Sequence, residues 1–302
     1  MLVLPELFRI PFINLPIHTY GALYVLGLLT GLFVVYQQAL LGKKYQDYVW
    51  DVGFWILLGS LIGARVLFII IDYKYYFIDE PFTTLPIVNI SIPTFLALHK
   101  GGFVFFGGAI GGTLALFLFC KKHTIPFSQM GDFFVLGLPL GHAIGRIGCI
   151  AGGCCYGEAR YHLDALGHVI ADVPFALKFP PRSIAFNSLY PEADSATRHL
   201  MDQLGSTLPL VPVQIVESLA NVGIFLILFF LTPLKRAHGQ IACLYVLLYA
   251  ILRIFTETLR GDEARGFILG LSTSQFISLI VCLLALVMFF RLNKSESFKN
   301  KI

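Results

Sequence analysis

The chain has 302 residues, of which 57% are hydrophobic and 13% are charged. Soluble globular domains carry about 25% charged residues, so this chain has too few charges to cover a surface that faces water. The composition therefore excludes an ordinary soluble domain and indicates that lipid is the main solvent. The formal net charge of +4 is small, and nothing in the sequence suggests binding to nucleic acid.

Long apolar segments recur along the whole chain. A helix needs roughly 20 mostly apolar residues to cross the hydrocarbon core of a bilayer, and helices are the default because a spanning segment must satisfy its own backbone. The sequence therefore predicts an all-α integral membrane protein in which residues 1–302 form a single polytopic membrane domain. The predicted transmembrane helices, about seven in number, lie near residues 19–41, 49–71, 102–120, 131–151, 212–232, 239–258 and 273–291.

The basic residues of the short connections predict the orientation of these helices. Cytoplasmic connections carry an excess of Lys and Arg, and with seven helices all the basic clusters fall on one side. The N-terminus is then expected to face outward and the C-terminus to be cytoplasmic. The long outer connection, about residues 152–211, is expected to form a small ordered extracytoplasmic lobe. The basic residues concerned are Lys43, Lys44, Lys121, Lys122, Lys235, Arg236, Arg291, Lys294, Lys299 and Lys301.

Ionisable residues inside the predicted spans are costly to bury in lipid and are therefore candidates for function. The candidates taken from these spans are Arg65, His142, Arg146, Glu217, Arg253 and Glu257, with Arg260 just beyond the sixth span. Arg253, Glu257 and Arg260 stand at offsets of four and three residues, which predicts that they share one helical face. Two interpretations stay open: an intrahelical ion pair without a chemical role, or a net positive face that binds an anion such as lipid phosphate.

The stretch around Arg146 is rich in glycine. His142 lies four residues earlier, on the same predicted helical face, and the glycines permit close approach of another backbone or a ligand. One interpretation is a tightly packed helix junction that holds a neutralised arginine. The other is an arginine whose planar fork binds a phosphate. Gln214 and Glu217 are expected to orient this arginine, and Tyr20 is expected to reach the same pocket, which would suit a phospholipid headgroup.

Three cysteines, Cys149, Cys154 and Cys155, follow this arginine closely. Their C-x4-C-C spacing is not a usual zinc pattern, and no histidine follows at ligand spacing. A disulfide is conceivable in an oxidising compartment, although a bond between the vicinal Cys154 and Cys155 would be strained. The preferred interpretation is that small side chains fill a crowded site, and the sequence predicts neither a metal site nor a cofactor.

The chain resembles one family over nearly its whole length, the prolipoprotein diacylglyceryl transferases of bacterial inner membranes. The order and spacing of its motifs agree with that family and with seven membrane-spanning helices. The segments that carry the resemblance are "HTYGALYVLG" (18–27), "GGFVFFGGAIGG" (101–112), "QMGDFF" (129–134), "GRIGCIAGGCCYG" (145–157), "PVQIVE" (212–217) and "RIFTETLRGDEARG" (253–266).

The resemblance implies a multi-pass enzyme of the bacterial inner membrane that transfers the diacylglyceryl group of phosphatidylglycerol to the lipobox cysteine of a preprolipoprotein, releasing glycerol phosphate. The residues it places at the substrate are Arg146, Arg260, Glu257, Gly157, Gln214, Glu217 and Cys149. Arg146 and Arg253 are expected to act in catalysis by stabilising charge on the departing phosphate. His142, Tyr20 or Glu257 is expected to accept the proton of the thiol, unless the positive field alone lowers the pKa of that thiol.

The sequence also departs from the family's pattern. The usual signature is Gly-Arg-x-Gly-Asn-Phe-x-Asn-x-Glu-x-x-Gly, in which Cys149, Gly152 and Cys154 replace the two Asn and the Glu. A histidine of the loop motif is replaced by Phe106, so a proposed general base is missing. These changes leave two alternatives open: a related membrane enzyme that uses a different acceptor, and a non-catalytic lipid-binding protein or transporter.

Overall fold

The computed structural model describes residues 6–10, 15–84, 90–97, 102–261 and 266–299. Within these ranges, seven helices are long and apolar enough to cross a membrane. They confirm the predicted all-α, multi-pass architecture, and they lie at Thr19–Leu41, Gln46–Ile71, Phe105–Lys122, Phe127–Gly152, Val213–Leu234, Gln240–Glu257 and Thr273–Lys294. The predicted orientation of these helices across the membrane stays a prediction.

The described chain is built from α-helices and short antiparallel hairpins. The helices are α1 (Thr19–Leu41), α2 (Val49–Ile71), α3 (Phe105–Lys122), α4 (Phe127–Val135), α5 (Gly137–Gly152), α6 (Ile184–Glu192), α7 (Ser195–Leu204), α8 (Val213–Leu231), α9 (Gln240–Glu257) and α10 (Thr273–Lys299). The strands pair as β1 (Glu6–Ile10) with β2 (Leu15–His18), β3 (Phe82–Thr84) with β4 (Ser91–Pro93), β5 (Tyr161–Leu163) with β6 (Val169–Ala171), and β7 (Phe267–Ile268) with β8 (Leu271–Ser272). The fourth apolar span consists of α4 and α5, which a turn at Leu136 separates.

By its contacts the chain divides into two compact units, Tyr36–Gly131 and the combination of Met1–Val35 with Asp132–Ile302. In the first unit, α2 and α3 pack closely on each other. A Cβ added at Gly59 would lie 2.7 Å from the carbonyl oxygen of Gly111. Small residues thus let the two helices approach to backbone contact. That residues 1–302 act as a single polytopic domain stays a prediction.

Arg65 lies in the same unit, buried on α2. Its Nε donates to the carbonyl oxygen of Phe95 at 3.2 Å, and its Nη1 donates to that of Gly102 at 3.1 Å. Its Nη2 donates to the carbonyl oxygen of Ala97 at 3.3 Å. Buried backbone carbonyls need hydrogen-bond partners. Arg65, a candidate for function by its position in a span, therefore has a structural explanation: it fixes the segment that precedes α3.

The second unit contains the helices that carry the predicted site. In it, α5 packs against α8, α8 against α9, and α9 against α10. The first helix meets α5 through glycines, because a Cβ added at Gly141 would lie 2.8 Å from the carbonyl oxygen of Gly27. The apolar residues buried between α4, α5, α8 and α9 are Val135, Leu136, Ile224, Leu228 and Ile241.

A carboxylate from α4 caps the N-terminus of α9. Asp132, which is 1% exposed, accepts hydrogen bonds from the backbone N–H groups of Gly239 at 2.8 Å and Ala242 at 3.0 Å. Lys235 also donates to it, with Nζ at 2.9 Å. The first N–H groups of a helix lack partners within the helix, and a negative charge is favourable there. Asp132 thus fixes the N-terminal end of α9, while Glu257 is the last residue at the other end of this helix.

The long connection between α5 and α8 is folded. It contains the β5–β6 hairpin and the helices α6 and α7. A short β-bridge joins Ala159 to Leu210, so the beginning and the end of the connection lie side by side. The apolar residues at its centre are Tyr156, Phe179, Ala185 and Leu210. The connection at about residues 152–211 is therefore folded, and that it forms an extracytoplasmic lobe stays a prediction.

Candidate active site

Arg146 is the charged residue at the centre of the candidate site. It lies on α5, one turn after His142, and its side chain is 12% exposed. Its Nε lies 2.5 Å from Oε2 of Glu217 on α8 and 3.2 Å from Nε2 of His142. For Arg146 to donate to His142, Nε2 of the imidazole must carry no proton. The structure thus brings together three residues that the sequence placed in one pocket.

Four buried charges form an alternating chain across α5, α8 and α9. Nη1 of Arg253 lies 3.2 Å from Oε1 of Glu217, and Nη2 of Arg253 lies 2.6 Å from Oε2 of Glu257. The order is therefore Arg146, Glu217, Arg253, Glu257, with each side chain at most 12% exposed. A buried charge is costly unless it is paired, and within this ion chain the positive and negative charges cancel.

Arg260 lies outside the helix that carries Arg253 and Glu257. The sequence predicts one helical face for all three residues, but α9 ends at Glu257 and the chain turns at Thr258. Arg260 instead forms a β-bridge with Gly157. The prediction of a shared helical face is therefore wrong for Arg260. It sits where the end of α9 meets the long connection.

Two hydroxyl groups donate hydrogen bonds to these carboxylates. Oγ1 of Thr256 donates to Oε1 of Glu217 at 3.0 Å, and Oγ of Ser272 donates to Oε1 of Glu257 at 3.0 Å. An ionised carboxylate can accept several hydrogen bonds, so these hydroxyls stabilise the charged forms. Thr256 adjoins Glu257 in the motif, which is a weak signal in the sequence. Ser272 has no comparable signal, because it lies beyond the end of α9.

Gln214 holds backbone rather than Arg146. Its side chain is fully buried, and its Nε2 donates to the carbonyl oxygen of Cys154 at 2.8 Å. The expected orientation of Arg146 by Glu217 is seen, whereas the same expectation for Gln214 is not. The amide is one helical turn away from Glu217 on α8. From this position on α8, the amide of Gln214 reaches the turn after α5. Gln214 therefore positions the backbone of Cys154.

Gly157 lies where three backbone segments meet. Its N–H donates to the carbonyl oxygen of Val211 at 3.1 Å. A Cβ at this position would lie 2.6 Å from that same oxygen and 2.7 Å from the carbonyl oxygen of Leu259. Only glycine permits such close approach without a shift of the backbone. Gly157 thus joins the end of α9 to the long connection beside the ion chain.

Tyr20 lies on α1 beside the glycine-rich face of α5. A Cβ added at Gly148 would lie 3.5 Å from Cδ2 of Tyr20, and one added at Gly152 would lie 3.6 Å from its Cβ. The ring of Tyr20 stacks on that of Tyr24 at a centroid distance of 6.3 Å, and the residue is 43% exposed. The predicted proximity of Tyr20 to the segment that carries Arg146 is therefore observed.

The three clustered cysteines converge. Their sulfur atoms all lie within 4.8 Å of one another, and all are free thiols. Cys149 is buried in α5, whereas Cys154 and Cys155 are half-buried in the turn that follows. Hydrogen bonds from the thiols of Cys149 and Cys154, together with the positive charges of Arg146 and Arg260, lower the pKa of the Cys155 thiol. The three thiols thus lie together at the end of α5, and whether they only fill a crowded site stays a prediction.

Parts of two motifs lie outside the described residues. These are Gly101 of the loop motif and residues 262–265 of the last motif. Phe106, which replaces the histidine of the family's loop motif, lies in the first turn of α3 and is 37% exposed. The structure describes the other site residues. The charged centre of the site is the ion chain formed by Arg146, Glu217, Arg253 and Glu257.

The fold and the site together define a class: multi-pass helical membrane proteins with a charged site buried between their helices. Residues 5–291 match the family model described as "LGT: Prolipoprotein diacylglyceryl transferase". The chain therefore belongs to the prolipoprotein diacylglyceryl transferase family, as its motifs predict.

Three curated relatives illustrate the similarity, and all are called phosphatidylglycerol–prolipoprotein diacylglyceryl transferases. The one from Clostridium tetani is 30% identical over 288 residues, which cover 94% of this chain and 96% of that protein. The transferase 2 of Clostridium perfringens is 27% identical over 300 residues, 99% of this chain and 98% of the relative. The one from Legionella pneumophila strain Lens is 27% identical over 281 residues, 90% and 91% of the two chains.

Proposed function

We propose that this protein transfers the diacylglyceryl group of phosphatidylglycerol to the lipobox cysteine thiol of preprolipoproteins in a bacterial inner membrane, with release of glycerol phosphate. The observation that carries the proposal is the buried ion chain from Arg146 to Glu257 in a chain that belongs to this transferase family. Intramembrane charges held at this cost are typical of functional sites.

Arg146 and Arg260 are the residues that bind the phosphate. Glu217 and His142 both contact Nε of Arg146, which fixes the plane of the guanidinium. A planar guanidinium fork matches phosphate oxygens well. Arg260 brings a second guanidinium to the end of α9, where its backbone bridges Gly157. Both charges stabilise the negative charge that develops on the departing phosphate.

Arg253 has a positioning role in this proposal. Its two terminal nitrogens face two different carboxylates, Glu217 and Glu257. Arg253 therefore organises the carboxylate that holds Arg146, instead of presenting its fork to the lipid. This refines the role implied by the family resemblance, in which Arg253 acts directly on the phosphate.

The chemistry is a displacement at carbon. The acceptor thiol loses its proton, and the sulfur attacks the glycerol carbon that carries the phosphate ester. A carbon–sulfur bond forms as the carbon–oxygen bond breaks, and the electron pair leaves with glycerol phosphate. Tyr20, His142 and Glu257 are the candidate proton acceptors. His142 already accepts a hydrogen bond from Arg146, and Glu257 is already paired with Arg253. Tyr20 is the most exposed of the three.

The test uses purified protein in phosphatidylglycerol vesicles with a synthetic lipobox peptide. Mass spectrometry follows addition of the diacylglyceryl group to the peptide cysteine, and a coupled assay follows glycerol phosphate. We expect both products from the native chain and a loss of about 100-fold or more in Arg146→Ala, because a charge that stabilises the transition state is removed. The matched control is Arg160→Ala, whose 51% exposed side chain pairs with the exposed Glu158.

A different acceptor is the second candidate function. The specific observation in its favour is that Cys149, Gly152 and Cys154 replace polar residues of the family signature. It predicts glycerol phosphate release that depends on Arg146 but leaves the peptide unmodified. If folded protein releases no glycerol phosphate and modifies no peptide, the transferase proposal is wrong for this donor and acceptor.

A further inference from the structure

Three thiols converge at the end of α5, where Cys149, Cys154 and Cys155 bring their sulfur atoms within 4.8 Å of one another. The backbone is shaped for this convergence. Gly153 caps α5 in the left-handed region with a φ of 68°, and Cys155 also has a left-handed φ, of 60°. The amide of Gln214 on α8 holds the carbonyl oxygen of Cys154 at 2.8 Å. The cluster is therefore fixed by two helices and a built turn.

The cluster has the donor set of a site for a thiophilic cation. Thiolates are ligands that Zn²⁺ prefers, and sulfur atoms that each lie about 2.3 Å from a tetrahedral Zn²⁺ are about 3.8 Å apart. The observed separations, none above 4.8 Å, exceed this value by no more than about 1 Å. Among the described residues, no fourth His, Cys, Asp or Glu ligand atom joins the group. Three protein ligands and one open position are typical of a catalytic zinc site.

The charges around the cluster suit such a site. Three thiolates and one Zn²⁺ carry a net charge of −1, which is costly to bury unless positive groups are near. Arg146 lies on α5 three residues before Cys149, and Arg260 forms a β-bridge with Gly157, two residues after Cys155. The same two arginines are the proposed phosphate-binding residues. A zinc-bound ligand would therefore lie next to the departing group.

We propose that Cys149, Cys154 and Cys155 bind Zn²⁺ through three thiolates and that the open fourth position takes the acceptor cysteine. The second half of this inference rests on the proposed transferase function. A thiol that coordinates Zn²⁺ is deprotonated, so the nucleophile forms without a separate general base.

Atoms and electrons balance in this step. The thiol proton passes to water when the acceptor sulfur coordinates the metal. The sulfur then attacks the glycerol carbon of the lipid, the carbon–sulfur bond forms, and the electron pair of the broken carbon–oxygen bond leaves with glycerol phosphate. The metal does not change its oxidation state, so no oxidant or reductant is needed.

The first experiment measures metal binding without reference to activity. Full-length protein, reduced and stripped of metal in detergent, is titrated with Zn²⁺ against a chromophoric chelator and separately with Co²⁺. We expect one ion per chain and thiolate-to-Co²⁺ charge-transfer absorption. Cys149→Ser, Cys154→Ser and Cys155→Ser should each weaken binding at least about 100-fold, since each removes one of three protein ligands.

The matched control is Cys243→Ser, because Cys243 and Cys149 are equally buried at 7% exposure but Cys243 lies on α9. It should bind Zn²⁺ as the native chain does. Size-exclusion chromatography and thermal unfolding establish that each variant is folded. If the native chain binds Zn²⁺ no more tightly than the triple Cys→Ser variant, or if two of the three thiols prove to be a stable disulfide, the zinc site is disproved.

The second experiment separates the acceptor proposal from the transferase proposal. A lipobox peptide and its Cys→Ser version are added to the Co²⁺-loaded protein. We expect only the cysteine peptide to intensify the charge-transfer bands, because it adds a fourth thiolate. An unchanged Co²⁺ spectrum overturns the acceptor role while diacylglyceryl transfer still stands. A changed spectrum without any diacylglyceryl transfer supports the metal and acceptor site and counts against the transferase function alone.

Discussion

Glu217 is the residue on which the buried charges depend. It faces Arg146 with one carboxylate oxygen, and it faces Arg253 and Thr256 with the other. Its side chain is only 4% exposed, so water does not compensate for a lost partner. Without this carboxylate, two buried guanidinium groups would lie near each other with one remaining negative partner, Glu257. Removing one partner from a buried ion pair costs about 3–5 kcal/mol.

We therefore expect Glu217→Gln to lower the free energy of unfolding by about 3–5 kcal/mol and to reduce transferase activity strongly, since Arg146 loses its anchor. Thr256→Val is the control for the hydroxyl alone and should cost about 1 kcal/mol, the typical contribution of one hydrogen bond. Unfolding in a mixed detergent and product analysis by mass spectrometry measure the two effects. Equal effects of the two substitutions would contradict the central role of the Glu217 charge.

At the scale of the elements, glycines that contact backbone atoms set how closely neighbouring helices and loops can approach each other. Gly157 joins the start of the long connection to the end of α9, where the added Cβ would lie within 2.7 Å of two carbonyl oxygens. Those oxygens belong to Val211 and Leu259, and neither can rotate away as a flexible side chain does. The backbone segments at Gly157, Val211 and Leu259 are therefore held together. This contact fixes the position of Arg260, which forms a β-bridge with Gly157.

Gly157→Ala is expected to destabilise the protein by about 1–3 kcal/mol, the usual cost of overpacking, and to lower activity through displacement of Arg260. Gly223 on α8 offers a matched control, because an added Cβ there meets no atom within 4 Å in the part of the chain that the structure describes. Gly223→Ala should be neutral or stabilise by up to about 1 kcal/mol, since alanine favours helix. Comparison of thermal unfolding midpoints and of KM for lipid checks both variants. A neutral Gly157→Ala would show that these segments shift easily.

The elements themselves were predictable because lipid imposes a simple rule of length and apolarity. All seven predicted spans have a matching helix, although the break at Leu136 between α4 and α5 carries no strong signal of its own. Charged site residues were predictable for the same reason, since buried charges are costly. The convergence of the cysteines was not predictable, because it depends on two left-handed residues, Gly153 and Cys155, in one turn.

For the molecule as a whole, orientation decides whether the site can meet its proposed substrates. The basic residues of the short connections predict an outward N-terminus and a cytoplasmic C-terminus. That orientation places the folded connection between α5 and α8, together with the cysteine cluster at its start, on the outer side. The proposed acceptor, a translocated lipobox, would reach the site only from that side, so the proposed function requires this orientation.

Cysteine labelling in spheroplasts tests the orientation directly. Leu166, in the β5–β6 hairpin, is 81% exposed, and Leu234, after α8, is 70% exposed. We expect a membrane-impermeant maleimide to label Leu166→Cys in intact spheroplasts and Leu234→Cys only after lysis. Peptide mapping by mass spectrometry identifies the labelled residue, and the native chain gives the background from its own thiols. The opposite pattern would place the lobe and the cysteine cluster in the cytoplasm, out of reach of a translocated lipobox, and would contradict both the predicted topology and the proposed acceptor.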